Sequence, residues 1–134
     1  MTLIDSNILI DIFAGDARWS GPSIAALALR ARLGLIAIND VIYAELSAGF
    51  SGREALDLEV DAIGLSIERL SRDALFLAGQ TFRTTRARGG TRANVLADFF
   101  IGAQASAEGW PILTRDAARY RTYFAEVVVV GVGE

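Results

Sequence analysis

Four carboxylates, Asp5, Glu45, Asp98 and Asp116, stand in apolar stretches of the sequence, and their oxygens suit a hard cation. Asp5 is the first polar residue after the apolar segment 2–4, and Asp116 follows Ile112, Leu113, Thr114 and Arg115. Glu45 has Ile42, Ala44 and Leu46 around it, and Asp98 is flanked by Ala97 and Phe99. An ionised carboxylate among apolar side chains is costly unless something compensates it. Each also has a plainer reading. Asp5 can cap the helix that follows it, Asp98 and Asp116 can face the positive end of a helix dipole, and Glu45 can pair with an arginine. As a set, with two of them at strand ends, they read better as one cluster. Clustered carboxylates repel unless a cation lies between them, so the cluster implies a metal ion.

The missing residue types narrow the chemistry further. The 134 residues contain no His and no Cys, and all thirteen basic residues are Arg. Without Lys there is no phosphate loop of the Gly-Lys type and no Schiff base. Without His and Cys there is no serine–histidine or cysteine–histidine pair and no imidazole or thiolate zinc site. An enzyme made from this chain works with carboxylates, which favour Mg²⁺ or Mn²⁺. A net charge of −3 offers no general attraction to nucleic acid, so a polyanionic substrate needs a local basic patch and metal ions.

Alternating elements position these groups. Apolar runs at 2–4, 35–38 and 111–114, a weaker one within 65–70 and a last at 127–130 read as strands. Helical patterns follow Asp5 and cover 22–33, 41–50, 51–63, 71–88, 94–109 and 116–124. The alternation predicts a parallel sheet with helices on both faces, and residues 1–134 as a single domain. No apolar run reaches the length of a membrane span, and no basic segment precedes the short apolar N-terminus, so the expectation is a cytoplasmic protein.

The stretch LIDSNILID, the AEL around Glu45, LADFFIGAQA around Asp98 and ILTRDAARYRTYF around Asp116 resemble the PIN domain, in the order of that family. Among PIN domains the likeness is greatest to the VapC toxins of toxin–antitoxin pairs. The resemblance implies a three-layer α/β/α sandwich whose five parallel strands run in the order 3-2-1-4-5. The strands ending at Asp5 and near Asp116 would then be neighbours at the switch point where such sheets bind ligands. It implies that Asp5, Glu45, Asp98 and Asp116 hold Mg²⁺ or Mn²⁺ for hydrolysis of RNA, with Asn7 and Thr114 orienting carboxylates or water. It further implies a cognate antitoxin that inserts a segment into the acidic site, and a homodimer. Relatives often carry His where this chain has Gln104, which leaves a role there open.

Carboxylates alone cannot attract RNA. Arg83, Arg86, Arg88 and Arg92 surround Gly89 and Gly90 just before the Asp98 segment, and they are the candidate RNA contacts. The same arginines also suit the negative end of a solvated helix. Rival classes are a phosphoryl-accepting enzyme, disfavoured by the absence of Lys, a metal-dependent DNA nuclease, and a non-catalytic PIN-like binding module.

Overall fold

Successive side chains of a strand point to opposite faces, so a strand buried at every position must be covered on both. The computed structural model, which describes residues 1–89 and 96–133, places β1 (Thr2–Ile4), β2 (Ile36–Ile38) and β4 (Ile112–Thr114) in that setting throughout. The edge strands β3 (Ser66–Ile67) and β5 (Val129–Gly131) are only partly covered. All neighbours pair in parallel, in the order β3-β2-β1-β4-β5. Leu3 stands opposite Ala37 on one side and Ile112 on the other. The order reverses at β1 and β4, which puts the switch point between them.

Among the described residues the helices are α1 (Ser6–Ala14), α2 (Ser20–Leu33), α3 (Asp40–Ser47), α4 (Arg53–Ile63), α5 (Arg72–Ala87), α6 (Leu96–Glu108) and α7 (Ala117–Tyr123). Their ends follow cap chemistry. Asn39 accepts from the Ile42 N–H at 2.8 Å to open α3, and Ser71 accepts from the Ala74 N–H at 3.1 Å to open α5. Gly15 closes α1 at φ 63°, a left-handed conformation that suits glycine. With helices on both faces of the parallel sheet, the α/β sandwich that the sequence implies is the fold observed.

Some boundaries differ from the sequence reading. Helix α2 starts at Ser20 rather than Pro22, because a proline in the first turn removes only an N–H that has no helical partner. Helix α3 stops at Ser47, short of 50. The last strand is 129–131 rather than 127–130, because the Val127 N–H turns back to the Phe124 carbonyl at 3.0 Å.

Two contacts fix the helices that carry the acids. Gly102 of α6 lies so close to Phe124 that a Cβ there would sit 2.3 Å from two ring carbons. Phe99, one residue after Asp98, stacks edge-on against Tyr123 at 4.9 Å and Phe124 at 6.4 Å. Gln104, left open by the sequence, is a brace. Its Oε1 accepts from Asn39 at 2.8 Å, and its Nε2 donates to the carbonyls of Glu68 and Arg69 at 3.2 Å each.

Candidate active site

Asp5 ends β1 and caps α1. Its Oδ1 accepts from the Ser6 N–H at 2.8 Å, so the plain cap reading is true of the geometry. Its other oxygen serves a different network. Oδ2 accepts from the Thr114 hydroxyl at 2.8 Å, the Tyr120 hydroxyl at 2.9 Å and the Asn7 amide at 3.4 Å. A carboxylate that only caps a helix needs none of these. The Thr114 hydroxyl also accepts from the Asp116 N–H at 3.0 Å, which ties the end of β4 to the next acid. Asn7 completes the brace, with its Oδ1 accepting from the Arg115 N–H at 3.1 Å.

Glu45 reaches this centre through Ser6, whose hydroxyl donates to Oε1 at 3.0 Å while its N–H caps onto Asp5. Burial, offset in part by that bond and reinforced by the charge of Asp5, raises the Glu45 carboxyl above its usual range. Asp98 lies in the first turn of α6 and is buried. Burial, together with the charges of Asp5 and Glu45, pushes its carboxyl up to about 6, although Arg119 pulls the other way. The three acids therefore feel one another.

Arg119 of α7 joins the remaining pair. Its Nη1 donates to Asp98 Oδ2 at 2.9 Å, and its Nε stands 3.0 Å from Asp116 Oδ2. Burial opposes its charge, but Asp98 and Asp116, with Tyr120 and Asp5 behind them, more than offset this and hold the guanidinium above its ordinary value. The quartet is thus linked in sequence: Glu45 through Ser6 to Asp5, Asp5 to Tyr120 beside Arg119, and Arg119 to Asp98 and Asp116.

Neither Arg119 nor Tyr120 was a candidate in the sequence. Arg119 stands three residues after Asp116, a spacing that reads as an ordinary helix-surface pair. The Tyr120 ring is buried and reads as core. Burial, then the charges of Asp5 and Asp98, raise its hydroxyl well above the usual value, which keeps it a proton donor to Asp5. Asp11 and Arg115 were missed too. Arg115 grips buried Asp11 through two bonds of 2.8 and 3.1 Å and lies 4.9 Å over the Trp19 ring, pinning the β4–α7 turn onto α1.

Arg83, Arg86 and Arg88 are exposed around the end of α5, and among the described residues none of them forms an ion pair. Arg86 lies 5.8 Å over the Phe82 ring, and Phe82 packs on Phe99 beside Asp98. Arg92 lies outside the described residues. A cavity of about 650 Å³ next to α1 and α3, lined by Ile10, Phe13, Leu46 and Phe50, shares only Glu45 with the quartet.

As placed, no three acids among the described residues stand close enough together to hold a metal ion. Their donor type nonetheless fits Mg²⁺ or Mn²⁺, which take carboxylate oxygens. Their charge fits too, since Asp98 carries more repulsion and burial cost than one guanidinium relieves. The cation found there is Arg119.

Comparison with solved structures places the fold among toxin–antitoxin complexes. VapBC2 of Rickettsia felis, solved on a DNA fragment from the promoter, matches with TM-score 0.74 and 20% identity over 98% of both chains. VapBC-1 of nontypeable Haemophilus influenzae matches with TM-score 0.73 and 16% identity over 97% of this chain and 96% of that one. A toxin–antitoxin complex of Klebsiella pneumoniae matches with TM-score 0.66 and 23% identity over 97% and 96%. At these identities the likeness is one of fold. No curated protein sequence matches the chain. The PIN domain family matches residues 2–125, nearly the whole length, and the chain belongs to that family.

Proposed function

We propose that the chain is a metal-dependent endoribonuclease, the toxin of a toxin–antitoxin pair, with Asp5, Glu45, Asp98 and Asp116 as holders of Mg²⁺ or Mn²⁺. The observation that carries this reading is the linkage of the four acids at the carboxyl ends of β1 and β4. PIN domains are nucleases, which supplies the reaction class. When bound, such an ion polarises the phosphodiester and lowers the pKa of the attacking water.

The chain's own residues supply position. Thr114, Tyr120 and Asn7 hold Asp5 Oδ2 from three sides, so its carboxylate has little freedom to turn. Ser6 fixes Glu45 against Asp5, where it orients water. The exposed arginines Arg83, Arg86 and Arg88 bring RNA phosphates to a chain whose net charge of −3 would otherwise repel them. The structural neighbours are toxin–antitoxin complexes, and the partner we assign is a cognate antitoxin that inserts a segment into the acidic site. The working form in this reading is a cytoplasmic homodimer. No helix among the described residues is long and apolar enough to cross a membrane.

The test is cleavage of single-stranded RNA and of single-stranded DNA with Mg²⁺ or Mn²⁺, and again with EDTA. RNA should be cut only with metal, and Asp5→Asn, Asp98→Asn or Asp116→Asn should each lower the rate by orders of magnitude. Full cleavage in EDTA would remove the metal from the mechanism. Preferred cleavage of DNA would make this a DNA nuclease, and binding without cleavage a recognition module.

A further inference from the structure

We propose that Arg119 is the site's own exchangeable cation: it bridges Asp98 and Asp116 in the metal-free site and leaves when a divalent ion enters. This rests on the metal-binding reading above. The guanidinium occupies Asp98 Oδ2 and stands against Asp116 Oδ2, oxygens that a shared ion would need. A second positive charge a few ångströms away would be strongly repelled in this partly buried setting. The two cations therefore exclude each other.

Two features make Arg119, rather than the ion, the one that yields. Its grip is imperfect: Nε is buried without an aligned hydrogen bond although Asp116 Oδ2 lies 3.0 Å away. Its side chain is also 38% exposed, and that of Asp116 50%, so the guanidinium can swing to solvent without crossing the core. Arg115, four residues earlier, has a side chain almost as exposed, at 34%, and differs in its grip. It holds Asp11 with two aligned bonds and a stacked Trp19, and every contact locks it in place. One arginine of this segment is built to stay and the other to move.

The experiment is Mn²⁺ binding measured calorimetrically on the whole chain, as wild type, Arg119→Gln and Arg119→Lys, each first checked for a cooperative melt. Arg119→Gln should bind Mn²⁺ at least about fivefold more tightly than wild type, the lower end of ordinary coupling between sites. Arg119→Lys, which keeps the charge, should stay near wild type. A wild type that binds Mn²⁺ and an Arg119→Gln that binds it no better would make Arg119 a brace and overturn the exchange while leaving the metal reading intact. Absence of binding in both would overturn the exchange and the metal reading together. A second measurement needs no variant: modification of the wild type by phenylglyoxal, mapped by mass spectrometry, should speed up at Arg119 when Mn²⁺ is added. An unchanged rate at that residue under saturating Mn²⁺ would overturn the proposal.

Discussion

The hydroxyl of Tyr120 donates to Asp5 Oδ2 at 2.9 Å, across 115 residues of sequence. It joins α7, near the end of the chain, to the turn after the first strand, and both partners are buried. Tyr120→Phe keeps the ring and deletes one donor to a buried carboxylate. The expected cost is about 1.5–3 kcal/mol, the usual value for a bond to a charged group. Denaturant midpoints of the two proteins check it, and equal midpoints with equal slopes would mean the bond is not made in solution.

Gly102→Ala should be more damaging than its size suggests. The new methyl would meet the Phe124 ring at 2.3 Å, and that ring is buried and cannot step aside. Overpacking of this kind costs about 1–3 kcal/mol. The strain falls between the helices that carry Asp98 and Arg119, so cleavage should drop as well. Adding Phe124→Leu should restore part of both, and no recovery in the double variant would place the damage elsewhere.

The four acids stood out because a carboxylate in an apolar stretch needs a reason, and the alternation of elements pointed to a parallel sheet, whereas the strand order came only from the resemblance to PIN domains. Thr114 and Asn7 were singled out only by that resemblance, and both donate to Asp5 Oδ2. Arg119 and Tyr120 were not, since each has an ordinary local role that its neighbours in sequence satisfy. Their contacts to Asp98 and Asp5 exist only once α7 docks on α6 and β1. Gln104 was opaque for the same reason: its three partners come from segments 35 to 65 residues away.

If Arg83, Arg86 and Arg88 meet phosphates, replacing all three with Ala should weaken RNA binding and flatten its salt dependence. For a single strand each lost contact removes about 0.7 from the slope, so about 2 in total. Titration of a non-cleavable RNA at several salt concentrations measures it. The same slope in the triple variant would return this helix end to solvent.

The last prediction turns on the sign of one titration. In the folded, metal-free chain the Asp98 carboxyl is raised to about 6 from an ordinary value of 3.8, by burial first and then by Asp5 and Glu45. Between those two values the native state binds a proton that the unfolded chain has released. Stability from this group therefore falls as pH rises through that window, and its full penalty is present above about pH 6. The cost is on the order of 1–3 kcal/mol, since each tenfold change in proton affinity is worth about 1.4 kcal/mol. Asp98→Asn carries no such proton, and its amide oxygen can still accept from Arg119. Stability of both proteins in EDTA should therefore be compared from pH 4 to pH 8. The variant should gain on the wild type as pH rises, and equal or exceed it above pH 6, because relief of burial and repulsion outweighs the weakened ion pair. A gap independent of pH, or a variant that loses ground as pH rises, would mean that Arg119 fully compensates Asp98 and that the carboxylates do not crowd one another.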